Sequence, residues 1–298
     1  VPRGEGEATS VEFHDNFRAM DTDVDVFIEA EEAPFGAFAE ARLLFEQQEE
    51  RFSRFRESSL LSRLNNRETV DDEWLAEVAE MAIDAWETTE GLFNPMVLPA
   101  LRAAGYDRTF REVVSGRDSS EPVPSPKDCL AIDGTQVWLR KGMLDLGGIV
   151  KGWTADIVAE QLADRYQDVF VNAGGDIRCL GSDGAGDGWK MDVSGLSVAD
   201  RVWEGRISGA IATSTTMKRR WRTEGGGEAH HLIDPRSGSP SHSGYVQVTA
   251  RAEECWIAEV WAKAVLIGGD DARKRAEKLG IALVTFEDDG KPKFRGEW

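Results

Sequence analysis

Cysteine is scarce in this chain: Cys129, Cys179 and Cys255 are the three, widely spaced and odd in number. That excludes both a disulfide framework and a cysteine-based zinc cluster. Histidine is nearly as rare. Of four, only His230 and His231 adjoin, so no metal-binding spacing appears. No stretch reaches the roughly 18 apolar residues that a membrane-spanning helix needs. Basic residues fall well short of acidic ones, 35 against 54, for a formal net charge of −19. Coulomb repulsion then opposes nucleic-acid and anionic-membrane partners. Also missing are a Ser-His-Asp order, a metalloprotease helix, a Walker loop, a dinucleotide GxGxxG pattern, internal repeats and low-complexity tracts. No signal peptide is visible at the start. The opening "VPRG" resembles a protease-site remnant, so cytoplasmic and exported locations both stay open.

What is present describes a folded globular protein: 298 residues, 41% of them apolar, with ten tryptophans. Residues 1–10 read as a flexible leader and 11–298 as a single domain. "MDTDVDVFIEA" alternates like a half-buried strand, whereas "FGAFAEARLLFEQQEERF" (35–52) repeats at helical steps. A second helix is expected over "DDEWLAEVAEMAIDAWETTEG", capped by Asp71 or Asp72 and stopped at Gly91. Charge, serine and three prolines make 108–128 a surface loop. Strands follow at "CLAID", "VWLR", "DVFVNAGGDIRCLG", "GRISGAIATST" and "YVQVTARA", with helices at "VKGWTADIVAEQLADRY" and "CWIAEVWAKAVLIGG". Strands and helices without a βαβ rhythm indicate an α+β fold.

Four segments combine residues that could carry chemistry. "LDLGGIVKG" sets Asp145, two glycines and Lys151 on a turn entering a helix. That suits phosphate, since helix N-termini offer free N–H groups and lysine a mobile charge. A tight turn with a surface lysine explains it equally well. "VNAGGD" delivers Asp176 from a strand end; a plain turn is the simpler reading. "AIATSTTMKRRW" follows Thr213 and Ser214 with Lys218, Arg219 and Arg220, a basic cluster that either attracts an anion or balances nearby carboxylates. "HHLIDPRSGSP" carries His231, a general-base candidate by its pKa or else a packed strand-end residue.

In order, "MDTDV", "RFSRFRESSLLSRLN", "GLFNPMVLPAL", "LDLGGIVKGWTAD", "VNAGGDI", "IATST", "HLIDPRSGSP" and "AEVWAKAVLIGG" resemble the ApbE family, the FAD:protein FMN transferases. The resemblance runs from about Met20 to Gly269. It implies an ApbE-like α+β fold of mixed or antiparallel sheets with helices, two lobes enclosing a flavin cleft. It further implies FAD contacts from Met20, Phe55, Leu92, Phe93, Asn94, Asp145, Lys151, Gly174, Gly175, Asp176, Thr213, Ser214 and Leu232. His231 takes the position of the catalytic base. The implied reaction moves FMN from FAD to a Thr or Ser of a target protein, with AMP leaving and a magnesium ion neutralising phosphate charge.

Two departures stand out against that resemblance. Family members place an Asp and a Thr, four residues apart on the last helix, around magnesium, with a backbone carbonyl here at Gly148. This chain has Glu259 and Lys263 at the two side-chain positions. An ammonium has no lone pair for a metal. Lys263 then replaces the ion's charge as a catalytic group, or forms an ordinary i,i+4 pair with Glu259, or marks a protein that binds FAD without transferring it, an oxidoreductase or carrier. An FAD pyrophosphatase, sending the FMN phosphate to water, is a further alternative. In the hydroxyl motif, Thr215 replaces a usual glycine and Met217 a usual aromatic.

Overall fold

The computed structural model describes residues 10–106, 121–197, 199–222 and 228–298. The expected leader lies almost wholly outside them, as does most of the expected 108–128 loop. The described end of that loop holds a helical turn, whose cap Ser125 accepts the Lys127 N–H at 3.2 Å. In chain order the elements are β1 (Val11–Ala19), β2 (Thr22–Ala30), α1 (Phe35–Phe52), α2 (Leu60–Asn65), β3 (Val70–Asp71), α3 (Glu73–Thr88), α4 (Leu98–Ala103), α5 (Pro126–Cys129), β4 (Leu130–Asp133) and β5 (Gln136–Leu139). Then come α6 (Val150–Ala163), β6 (Val169–Ala173), β7 (Asp176–Leu180), β8 (Trp189–Ser194), β9 (Arg201–Ile207), β10 (Gly209–Thr215), β11 (Arg220–Arg222) and β12 (Glu228–His230). The last are β13 (Ile233–Asp234), β14 (Ser239–Pro240), β15 (Tyr245–Ala252), α7 (Cys255–Gly268), α8 (Asp270–Lys278), β16 (Ala282–Glu287) and β17 (Pro292–Arg295).

Local signals explain most of these elements. Val24, Val26 and Ile28 alternate inward on β2 and are fully buried. β1 turns into β2 through Met20 and Asp21 alone, with φ of 52° and 58°. Positive φ at both positions matches the twist of a two-residue hairpin. Asp72 caps α3 by accepting the Leu75 N–H at 2.8 Å. Gly91, at φ 85°, follows that helix.

Eight strands form one sheet in the order β1-β2-β6-β7-β10-β15-β16-β17, every neighbour antiparallel. Helices α1, α6 and α7 pack on it. The β8–β9 ribbon packs its Trp189 and Met191 with Phe27, Phe170, Cys179 and Ile211 of the sheet. A smaller sheet, β3-β5-β4, sits with α2 and α3 over a separate core that includes Leu61, Leu64, Leu75 and Val137.

The α6–α7 contact positions the site. Asp156 of α6 accepts the first N–H groups of α7, from Cys255 at 2.8 Å and Trp256 at 3.0 Å. It thereby caps that helix from outside, and burial pushes its pKa up to about 7. One turn earlier the two backbones nearly touch. A Cβ on Gly152 would lie 2.8 Å from the Cys255 carbonyl group and the Trp256 Cα. Backbone cannot swing aside as a side chain can, so Gly152→Ala must separate the helices. We expect a stability loss of about 2–3 kcal/mol, visible as a lower urea midpoint. An unchanged midpoint would show slack between the helices.

Candidate functional site

A cavity of about 570 Å³ opens beside the N-terminus of α6. Its wall includes Met20, Phe55, Leu92, Phe93, Asn94, Asp145, Gly148, Lys151, His231 and Lys263. Six separate segments of the chain thus converge on one space. Gly147 and Gly148 form the turn into α6, where a side chain on Gly148 would press on Phe93 at 3.1 Å and on the Lys263 stem at 3.4 Å.

Two lysines reach this wall from beneath. Lys151 of α6 pairs with Asp176, and with Glu259 Oε1 at 2.8 Å. Lys263 reaches the same Oε1 at 2.9 Å, one turn along α7. The other oxygen, Oε2, accepts the Gly152 N–H at 2.9 Å. Glu259 is only 1% exposed. Burial alone would raise its pKa, but the two ammonium charges and the Gly152 N–H outweigh that and hold it below the usual carboxylate range. Asp176 goes the other way. Burial and the Glu259 charge raise it, against the pull of the lysines.

This arrangement does not fit a divalent cation. Both Glu259 oxygens already accept hydrogen bonds, and an ammonium stands one turn away where an oxygen donor would be required. Among the described residues no group of three His, Cys, Asp or Glu side chains could hold a metal. Of the expected metal positions, Glu259 is therefore the shared carboxylate of an ion-pair network with Lys151 and Lys263, while Gly148 lines the cavity wall against the Lys263 stem.

His231 faces the cavity with its Nδ1 shielded from solvent and without a hydrogen-bond partner among the described residues. Burial, then the charges of Arg219, Lys263, His230 and Lys151, lower its pKa well below the ordinary value and keep the imidazole neutral. Its neighbour His230 is a structural residue. It contacts the Ser241 carbonyl at 3.1 Å, and burial first lowers its pKa to about 4.

The structure does not bring the remaining cofactor candidates to the wall. Gly174 and Gly175, both at positive φ, turn β6 into β7 and aim Asp176 at Lys151. A Cβ on Gly174 would strike Thr22. Thr213 shares a hydroxyl contact of 2.9 Å with Thr249, Ser214 is buried, and Leu232 packs in the core under β15 and α7. Asn94 lines the cavity but commits its amide to Met96 N–H at 2.9 Å and the Pro124 carbonyl at 3.1 Å.

Sequence reasoning passed over Arg54 and Tyr106. Arg54 pairs with Asp145 at 3.1 Å, donates to the Tyr106 carbonyl at 2.9 Å, and lies 4.3 Å from both the Phe55 and Tyr106 ring centres. Its position beside Phe55 in "RFSRF" was the available signal; its partners are remote in sequence.

Comparisons with known proteins bear on the family and the fold. A family profile described as "ApbE family" matches residues 20–285. The FAD:protein FMN transferase of Vibrio cholerae serotype O1 is 28% identical over 264 residues, spanning 83% of this chain and 78% of its own. That of Haemophilus influenzae is 26% identical over 267 residues, spanning 80% and 75%. The crystal structure of the ApbE protein from Thermotoga maritima has the same fold, with a TM-score of 0.85 at 24% identity over 96% of this chain and 97% of that one. The flavin transferase ApbE from Vibrio cholerae superposes at 0.76, also at 24% identity, over 96% and 97%.

Proposed function

The chain belongs to the ApbE family, and from that premise we propose that it moves FMN from FAD to a Thr or Ser of a target protein, with Lys263 supplying the positive charge that a metal ion would otherwise bring. One observation carries this reading. A neutral histidine, one ring nitrogen without a partner among the described residues, shares a cavity wall with two lysines fixed by buried carboxylates.

In the reaction, the acceptor hydroxyl attacks the FMN-side phosphorus of FAD. A new P–O bond forms, the bond to the AMP oxygen breaks, and AMP leaves. His231 takes the hydroxyl proton. Lys151 and Lys263 offset the charge spread over the phosphate oxygens, and Glu259 holds both in place without reorganisation. The turn at Gly147 and Gly148 leaves the backbone open to close approach, and Met20, Phe55 and Phe93 offer an apolar wall suited to a flavin ring.

The test is to mix purified protein, FAD and candidate acceptor proteins in EDTA or in magnesium, following in-gel flavin fluorescence and AMP. Wild-type transfer should agree within about twofold between the two conditions, and Lys263→Met should lower it about a hundredfold in both. Loss of transfer in EDTA would overturn the role given to Lys263. FMN and AMP formed without acceptor would indicate a pyrophosphatase. FAD recovered intact, with no labelled protein, would indicate a binding protein.

A further inference from the structure

The basic cluster of the hydroxyl motif divides in the folded chain. Arg220 pairs with Glu228 at 2.9 Å across the β11–β12 ladder, and Lys218 is exposed. Arg219 alone of the three lines the cavity, and it has no carboxylate or hydrogen-bond partner among the described residues. In a chain with so large an excess of acids, an arginine left without one among the described residues is unusual. Asp176 and Glu259 offset Lys151 and Lys263, so Arg219 leaves this cluster one positive charge in excess.

Its placement is built by non-local structure. β11 pairs with β12 in the register Arg220↔His230, Trp221↔Ala229 and Arg222↔Glu228. Arg219 and His231 each lie next to the Arg220↔His230 end of that ladder, on one cavity wall. Trp221 locks the strand by donating to the Ala104 carbonyl at 2.6 Å. On the other side, Thr215 Oγ1 donates to the Val246 carbonyl at 3.0 Å and accepts the Met217 N–H at 3.1 Å, while Thr216 N–H reaches the same carbonyl at 2.9 Å. Between these anchors Arg219 adopts φ 54°, a left-handed conformation uncommon for a residue with a side chain. Strain of this kind concentrates at active sites and ligand clamps.

We propose that Arg219 is a catalytic residue of this site, a guanidinium that binds the FAD pyrophosphate opposite the two lysines and stabilises the phosphoryl group as it transfers to the acceptor. The inference rests on the transferase reading above. Guanidinium suits the task because its planar donors engage two phosphate oxygens together. With Lys151 and Lys263 it is a third positive group on the wall that carries His231, one with no carboxylate partner among the described residues.

Three variants separate charge from fold. Arg219→Gly suits the left-handed backbone, so it should fold at least as stably as wild type, yet lower kcat/KM for flavin transfer about a hundredfold. Arg219→Lys should recover part of that loss, and Arg219→Gln none. Binding of FAD and of riboflavin, which has no phosphate, is read in parallel from quenching of flavin fluorescence. Arg219→Gly should weaken FAD about tenfold and leave riboflavin unchanged. Equal weakening of both, or transfer and FAD binding both within about twofold of wild type, would overturn the assignment. If wild type labels no acceptor, the transferase reading falls, while the FAD-against-riboflavin difference still decides whether Arg219 holds phosphate.

Discussion

Replacing His231 by asparagine is expected to lower kcat for flavin transfer roughly 10²- to 10⁴-fold, the usual contribution of a general base. Asparagine fills similar space and keeps polar atoms in the cavity, so FAD binding should change little. The pH profile is the sharper measurement. A base works deprotonated, so the rate falls as pH drops through its pKa. Burial and the charges of Arg219, Lys263, His230 and Lys151 lower the His231 pKa, so the acid limb should lie below the ordinary imidazole value of 6.5. The wild-type rate should therefore stay flat from neutrality down past that value. Lys263→Met removes one of those charges and should move the limb upward. An acid limb above pH 6.5 in the wild-type enzyme would remove His231 from the role of base.

The second large effect concerns stability. Glu259→Gln should cost roughly 3–5 kcal/mol, as expected when one partner of a buried ion-pair network loses its charge. Glu259 is the shared acceptor for Lys151, Lys263 and the Gly152 N–H. A glutamine amide has one oxygen where the carboxylate had two, so in either orientation its NH2 faces a donor. Two ammonium groups then share Asp176 as the remaining carboxylate of the network. The pH dependence has a definite sign. Glu259 has a depressed pKa in the folded chain, so its stabilisation is present above the unfolded carboxylate pKa of 4.5 and is lost as pH falls toward the folded value. Denaturation curves of wild type and variant should therefore converge in acid and separate above pH 5. A gap independent of pH would assign the loss to packing.

Particular residues show how far the sequence could be read. The bounds 35–52 of α1 follow from apolar residues at three- and four-residue steps, and Asp72 was visible as a cap because its side chain acts on its own helix. Eight short motifs in order carried the family, since motif order survives where each motif alone is weak. Arg54 escaped notice because its carboxylate and its second ring, Asp145 and Tyr106, lie far along the chain. Thr213, Ser214 and Leu232 stood in motifs read as cofactor contacts; the structure places them in or beside β10 and the core under β15 and α7, and they are not among the residues lining the cavity.

"CWIAEVWAKAVLIGG" marks the boundary between the two kinds of knowledge. The sequence by itself determined that Glu259 and Lys263 share one face of a helix, because a spacing of four is one turn wherever the helix lies. It also put an ammonium, Lys263, at the position where the resemblance to the ApbE family implies an oxygen ligand, since that is a matter of residue identity. Only the tertiary structure decided that Glu259 is buried and that Lys151, 108 residues away, shares its carboxylate. It likewise brought Arg219 and His231 to one cavity wall, each next to the Arg220↔His230 end of the β11–β12 ladder. Those relations depend on how closely α6 approaches α7 at Gly152 and on the register of β11 against β12. Both are set by packing between segments remote in the chain, which local spacing does not encode.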